Sequence, residues 1–170
     1  MTSDVHDTNE RQRRRGARGV LRVAGEVERA DLGANVAAFS LPGEDTGGLY
    51  SLTTFTMAPP PLPGPPPHVH EDASEAVYIL DGEVELGIEE RRLVGTAGSV
   101  MFVPKGTLHS VANVGAQPAT LLVILSPPGY EGFWREMAIR RASGPVDDET
   151  VLALQRKYHL VTGGEPRRLS

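Results

Sequence analysis

The strongest constraint on the fold is a series of short apolar runs separated by turn-forming residues. Seven runs follow one another, at 36–41, 49–57, 76–80, 84–88, 100–103, 109–113 and 120–125. The chain also contains 19 Gly and 14 Pro, which favour turns over long helices. Many short strands joined by turns are typical of a sandwich or barrel. The sequence therefore predicts an all-β fold.

The periodicity changes after residue 128. Large apolar residues then recur at helical spacing, and this first helix is expected to end by Gly144-Pro145. The residues on its apolar face are Tyr130, Phe133, Trp134 and Met137. A second helix is predicted from the acidic residues 147–149 to Arg156 and Lys157, since this order of charges complements the helix dipole. Both helices are expected to cover one end or flank of the barrel.

A chain of 170 residues suits one domain. We predict a disordered basic N-terminal tail at 1–18, a barrel at 19–128, and C-terminal helices packed on the barrel, with a tail, at 129–170. The net charge of −5 argues against binding to nucleic acid, although the tail is rich in Arg. The apolar stretch at 20–25 is too short for a signal peptide or a membrane span. We therefore expect a cytoplasmic protein that does not bind membranes.

The residues with metal-binding chemistry are concentrated in two places. The chain has no Cys, so any metal must be held by His and carboxylate side chains. His68 and His70 lie on one face of an extended segment, because side chains alternate along a strand. Glu75 follows shortly after, and His109 lies beyond the next hairpin. Three imidazoles and one carboxylate suit one divalent ion of Fe, Mn, Ni, Co, Cu or Zn. The alternative is a buried, hydrogen-bonded cluster in a barrel that binds no metal.

A proline-rich segment precedes the first two histidines. Residues 59–67 include seven Pro and cannot donate a regular ladder of hydrogen bonds. We interpret the segment as a stiff connector that delivers His68 to its position. The alternative is a ligand for a polyproline-binding domain.

Two spaced motifs surround these residues. The first runs from Gly64 through His68, His70 and Glu75 to Gly82, and the second comprises Gly98, Pro104, Gly106, His109 and Asn113. Together they resemble the two motifs of the cupin superfamily; the first departs only in its leading Gly, which lies closer to His68 than usual. The resemblance implies a double-stranded β-helix, or jelly-roll barrel, with His68, His70, Glu75 and His109 as metal ligands.

The flanking sequence is similar to small actinobacterial cupins that are often grouped with quercetin dioxygenases. This resemblance implies a metal-dependent dioxygenase that acts with dioxygen on a flavonol-like or other enolisable aromatic molecule. Glu75 would then be both a metal ligand and the catalytic base. The alternatives are a non-redox cyclase, isomerase or decarboxylase of polyketide-like secondary metabolism, and a non-catalytic cupin that binds metal or a small molecule. Family habit also implies a homodimer.

The walls of the substrate pocket are predicted from strand alternation alone. Val77 and Ile79 are in phase with Glu75, and Val111 is in phase with His109. Apolar walls of this kind would favour a flat apolar substrate.

Overall fold

A computed structural model describes residues 19–23, 25–61 and 64–163. The predicted N-terminal tail, residues 1–18, lies outside the described ranges. The elements are β1 (Arg29–Asp31), β2 (Asn35–Leu41), β3 (Ser51–Met57), β4 (His68–His70), β5 (Ser74–Asp81), β6 (Val84–Ile88), β7 (Arg91–Gly95), β8 (Val100–Val103), β9 (His109–Asn113), β10 (Ala119–Ser126), α1 (Glu131–Ala142), α2 (Asp148–Lys157) and β11 (Leu160–Thr162).

The described strands form two antiparallel sheets. One has six strands in the order β1-β2-β3-β10-β5-β8, and the other has five in the order β11-β4-β9-β6-β7. Strands that are adjacent in a sheet are mostly distant in sequence, as in a jelly roll. The predicted all-β barrel with two C-terminal helices is therefore confirmed.

The core forms because alternate side chains of both sheets point toward each other. In β3 and β10 buried and partly exposed residues alternate along almost the whole strand. Fully or nearly fully buried side chains, such as Leu121, Leu125 and Val77, fill the space between the sheets. This alternation is the period-two pattern expected for strands with one buried face.

All seven predicted runs form strands, and the extended segment predicted for His68 and His70 is β4. Three further strands were not predicted. These are β1, β7 and β11, which have between three and five residues. Each lies at an edge of its sheet. A short edge strand makes few contacts, and β1 and β7 also carry charged residues, so none of the three has a strong apolar pattern.

Both predicted helices are present, and α1 packs against the six-stranded sheet. Trp134 and Met137 are buried on its inner side, and the Trp134 ring lies 5.6 Å from the ring of Phe55. The second helix begins where the side chain of Asp147 accepts a hydrogen bond from the Thr150 N–H at 2.8 Å. Neither helix in the described part of the chain is long and apolar enough to cross a membrane.

The C-terminal segment also contributes to the barrel itself. After α2 the chain returns as β11 and pairs with β4, so that Leu160 lies opposite His70 and Thr162 opposite His68. The end of the described chain therefore flanks the strand that carries the first two histidines.

Candidate metal centre

The histidines of the cluster lie on two neighbouring strands of the five-stranded sheet. His68 and His70 lie on β4 and His109 begins β9, where it is directly opposite His68. Glu75 lies on β5 in the other sheet, opposite Val103 and Leu125. The cluster therefore connects the two sheets across the interior of the barrel.

The four side chains converge on one buried point. One ligand atom from each residue lies within 4.8 Å of those of the other three. The exposed fraction is 1% for His109, 4% for His70, 7% for Glu75 and 8% for His68. The imidazole rings of His68 and His109 are 4.3 Å apart between centroids. The structure thus brings together all four residues that the sequence singled out.

Backbone carbonyl groups orient two of the three imidazoles. The Nδ1 atom of His68 lies 2.8 Å from the carbonyl oxygen of Pro66, and that of His109 lies 3.0 Å from the carbonyl oxygen of Thr107. A carbonyl can only accept, so Nδ1 carries the proton in both rings. Metal-binding histidines are commonly oriented in this way, because the other ring nitrogen is left available for the ion.

Glu75 lies between two of the imidazoles. Its Oε2 atom is 2.8 Å from Nε2 of His109 and 3.4 Å from Nε2 of His70. Burial by itself raises the pKa of Glu75, but the hydrogen bonds from His109 and His70 outweigh it and hold the pKa well below its usual range. For His109, burial lowers the pKa, whereas the contact with Glu75 raises it, and the net shift is upward.

His68 has the opposite shift. Burial, followed by the neighbouring His109, lowers its pKa to about 4. Its imidazole is therefore neutral at pH 7, which is the form that binds a metal.

This donor set fits a divalent transition metal. Ligand atoms about 2.0–2.2 Å from an ion lie up to about 4.4 Å from one another. This separation is close to the 4.8 Å within which the four candidate ligand atoms lie. Nε2 of His109 and Oε2 of Glu75 form a hydrogen bond of 2.8 Å. A bound ion of charge +2 would replace this hydrogen bond and compensate the negative charge of the carboxylate. His68, His70, Glu75 and His109 are the residues that would hold it.

The cluster opens into a cavity of about 550 Å³ with mainly apolar walls. His68, His70 and Glu75 lie at its surface, together with the predicted wall residues Val77 and Val111. Ile79 is completely buried but is not among the lining residues. The Cδ1 atom of Ile79 lies close to Gly95 in β7, since a Cβ added to Gly95 would be only 3.0 Å from it. Ile79 therefore packs further along the barrel than the cavity.

Several cavity residues were not identified from the sequence as site residues. Tyr130 and Phe133 stack with ring centroids 5.0 Å apart, and the Tyr130 ring lies 4.6 Å from that of His70. Gln155 and Thr162 line the cavity from α2 and β11. The helical apolar pattern did mark Tyr130 and Phe133, but it indicated packing and not proximity to the candidate metal cluster.

The hydroxyl group of Tyr130 adds a polar group beside the cluster. The Tyr130 ring lies 4.6 Å from the ring of His70, and the residue lines the cavity. Burial, and then the negative charge of Glu75, raises the pKa of Tyr130 well above its usual value. The phenol is therefore protonated at neutral pH and can donate a hydrogen bond to a bound molecule.

The fold and the cluster together define a small jelly-roll barrel with a buried histidine and carboxylate site between its sheets. A family model described as the cupin domain matches residues 55–125, which contain all four cluster residues. Residues 55–125 of this chain form a cupin domain.

Curated relatives with known names are diverse. A probable germin-like protein (subfamily 2 member 5) of Arabidopsis thaliana is 38% identical over 95 residues, which cover 53% of this chain and 42% of the relative. The quercetin 2,3-dioxygenase of Bacillus subtilis (strain 168) is 33% identical over 87 residues, covering 51% of this chain and 25% of the relative. The matched part of the chain thus spans less than half of either relative.

Solved structures agree in fold. KdgF from Halomonas sp. superimposes with a TM-score of 0.59 at 16% identity, covering 68% of this chain and 99% of that one. The polyketide cyclase RemF from Streptomyces resistomycificus gives a TM-score of 0.54 at 22% identity, covering 64% and 80%. At these identities the likeness establishes the jelly roll alone.

Proposed function

We propose that the protein is a metal-dependent dioxygenase that acts on a flavonol-like or other enolisable aromatic molecule. One observation carries the proposal: the buried carboxylate of Glu75 belongs to the cluster that could hold a metal ion and also lines a largely apolar cavity. A base positioned in this way can reach an acidic proton of a molecule bound in the cavity. The similarity to a quercetin 2,3-dioxygenase supports the same reaction class.

The size and walls of the cavity support a flat aromatic substrate. A volume of about 550 Å³ lies within the range of typical small-molecule sites. Phe55, Tyr130, Phe133 and Trp134 supply aromatic surface on one side, and Val77, Val111 and Val123 supply branched aliphatic surface. Such walls exclude water and offer few partners to the many hydroxyl groups of a sugar.

Each residue of the site has a specific role under this proposal. His68, His70 and His109 hold the ion as neutral imidazoles, and the carbonyls of Pro66 and Thr107 fix two of the rings. The ion, when bound, supplies Lewis-acid polarisation of a substrate oxygen and, if redox-active, a route for electrons to dioxygen. Glu75 accepts the proton of the substrate enol, and Tyr130 donates a hydrogen bond that orients the substrate.

A non-redox cyclase or isomerase is the second candidate function. The pairing of a carboxylate, Glu75, with a protonated phenol, Tyr130, at one cavity surface favours it. These groups could remove and return a proton on a carbonyl substrate without any consumption of dioxygen.

The test compares the purified protein with Glu75→Gln after separate loading with Fe, Mn, Co and Ni. We expect dioxygen uptake with flavonols or enolisable phenols, and two added oxygen atoms in the product by mass spectrometry. Glu75→Gln should keep much of the metal but lose turnover, because an amide oxygen can coordinate but cannot act as a base at neutral pH. Glu83→Gln is the matched control, because it replaces a carboxylate with a carboxamide at an exposed position outside the cavity.

Three results would contradict the dioxygenase proposal. Equal turnover in the absence of dioxygen would select the cyclase or isomerase. Tight binding of the panel with no turnover under any metal would select a non-catalytic binding protein. Full activity of Glu75→Gln would remove Glu75 from the role of base.

A further inference from the structure

One side of α1 forms a wall of the cavity from the start of the helix to its last turn. The residues that line the cavity recur at helical spacing, so they lie on one side of the helix. Tyr130 begins this series beside the candidate metal cluster, with its ring 4.6 Å from that of His70. Arg141 ends it in the last turn. We term these residues the α1 stripe; they are Tyr130, Phe133, Trp134, Met137 and Arg141.

The length of the α1 stripe separates its charged end from the candidate metal cluster. An α-helix rises about 1.5 Å per residue, so Arg141 lies roughly 16 Å along the helix axis from Tyr130. The residues between them, Phe133, Trp134 and Met137, are uncharged and supply apolar surface. A molecule that reaches from the cluster to Arg141 must therefore be elongated, with an apolar middle.

The guanidinium group of Arg141 lies at the rim of the cavity, beside the turn that joins β1 and β2. A Cβ added to Gly33 in that turn would lie 3.4 Å from its Nη1 atom. Leu32 and Ala34 of the same turn line the cavity, as Arg141 does. Arg141 is exposed, so the rim is open to water at this point. A molecule that fills the cavity can therefore contact the guanidinium group with its outer end.

The charge of Arg141 is available to such a molecule. Among the cavity residues in the described part of the chain, it is the only Arg or Lys. It also forms no ion pair with a carboxylate of the described residues, whereas Arg135 on the same helix is paired with Glu28 at 2.9 Å. The rim thus presents one positive charge next to an apolar interior, in a chain with a net charge of −5.

The position of Arg141 at the end of a helix also has a structural explanation, which Arg140 shares. Both residues lie in the last turn of α1, where a positive charge complements the helix dipole. Arg140, however, lines a separate groove between α1 and the start of α2, and not the cavity. The helix dipole therefore accounts for the charge of both residues but not for the place of Arg141 at the rim.

We propose that Arg141 determines substrate specificity by binding a carboxylate at the end of the substrate that lies away from the candidate metal cluster. The inference rests on the proposed function, since it takes the enolisable group of the substrate to lie at the cluster. A guanidinium group can donate two parallel N–H···O hydrogen bonds to a carboxylate, which fix direction as well as charge. The substrate class is then a flat, elongated aromatic acid.

The experiment compares two probes that differ in one charge. The first is a flavonol with a carboxylate in the para position of its phenyl ring, and the second is the corresponding carboxamide. Calorimetric titration of the full chain under nitrogen gives both dissociation constants without turnover. Trp134 is the only Trp of the chain and lines the cavity, so a shift of its indole N–H signal in NMR reports occupation of the cavity. We expect the carboxylate to bind about tenfold more tightly than the carboxamide.

Two variants assign this preference to one residue. Arg141→Gln should abolish it, because the new side chain is neutral. Arg140→Gln is the matched control, since it removes the same charge from the same helical turn and should keep the preference. Both residues are exposed, so both variants should retain the melting temperature of the unmodified protein. In the unmodified protein, high salt should reduce the preference, because ions screen an exposed pair.

Four outcomes would overturn the inference. They are equal affinity for the two probes, absence of binding by the carboxylate, a preference that Arg141→Gln retains, and an equal loss of preference in both variants. The last would assign the effect to general positive charge at the end of the helix.

The test is separate from that of the dioxygenase proposal, because it requires neither dioxygen nor turnover. A carboxylate preference in a protein that consumes no dioxygen would support the role of Arg141 and contradict the dioxygenase. Dioxygen-dependent turnover of neutral flavonols, without any preference for the carboxylate, would support the dioxygenase and overturn the role of Arg141.

Discussion

Metal binding should stabilise the protein strongly, because the ligands come from both sheets. Glu75 and His109 are separated by 34 residues in sequence but lie 2.8 Å apart. An unfolded chain does not hold these groups together, so the ion binds the folded state far more tightly. Removal of the metal with a chelator should therefore lower the free energy of unfolding.

The magnitude follows from linkage between binding and folding. At a free metal concentration of roughly 100 times the dissociation constant, binding adds about 2.7 kcal/mol to the free energy of unfolding. For a domain of this size, each kcal/mol corresponds to about 2–4 °C in melting temperature. The metal-loaded protein should therefore melt about 5–11 °C above the chelated protein.

The assay is thermal unfolding followed by circular dichroism, with metal content measured on the same samples. His109→Ala should bind little metal, and its melting temperature should differ little between metal-loaded and chelated samples. His159→Ala should retain both the metal and the difference in melting temperature, since His159 is exposed and does not belong to the cluster. Equal melting temperatures with and without metal, or an unchanged metal content in His109→Ala, would refute the reasoning.

Three further predictions concern positions around the site. Gly64→Ala should lower the free energy of unfolding in urea by about 1–3 kcal/mol, because a Cβ there would lie 2.7 Å from the Val111 carbonyl oxygen. Gly19→Ala is the control and should leave this free energy unchanged, because the space around Gly19 is open. Trp134→Ala should cost about 3–5 kcal/mol, since its buried ring packs on the core; a loss below about 1 kcal/mol would contradict this packing. Tyr130→Phe should leave the melting temperature within a few degrees but lower kcat/KM about tenfold through one lost hydrogen bond to substrate, and unchanged kinetics would exclude that bond.

The sequence by itself predicted the local structure and the residues of the candidate metal cluster. The short apolar runs separated by turn-forming residues predicted the strands, because both signals lie within a few neighbouring residues. The same alternation placed His68 and His70 on one face, and the helix signals at 147–157 depend only on nearby charges and caps. The resemblance of the spaced motifs then identified Glu75 and His109, which the structure brings together with the first two histidines.

Only the tertiary structure decided what surrounds the four residues of the cluster. The order of the strands places Tyr130, Gln155 and Thr162 beside residues from the middle of the chain, and no local pattern specifies that order. Strand alternation put Val77 and Ile79 on the same inner face, but a face does not give depth along the barrel, and only Val77 reaches the cavity. Side-chain direction is fixed within a few residues, whereas register and closure depend on contacts between distant strands.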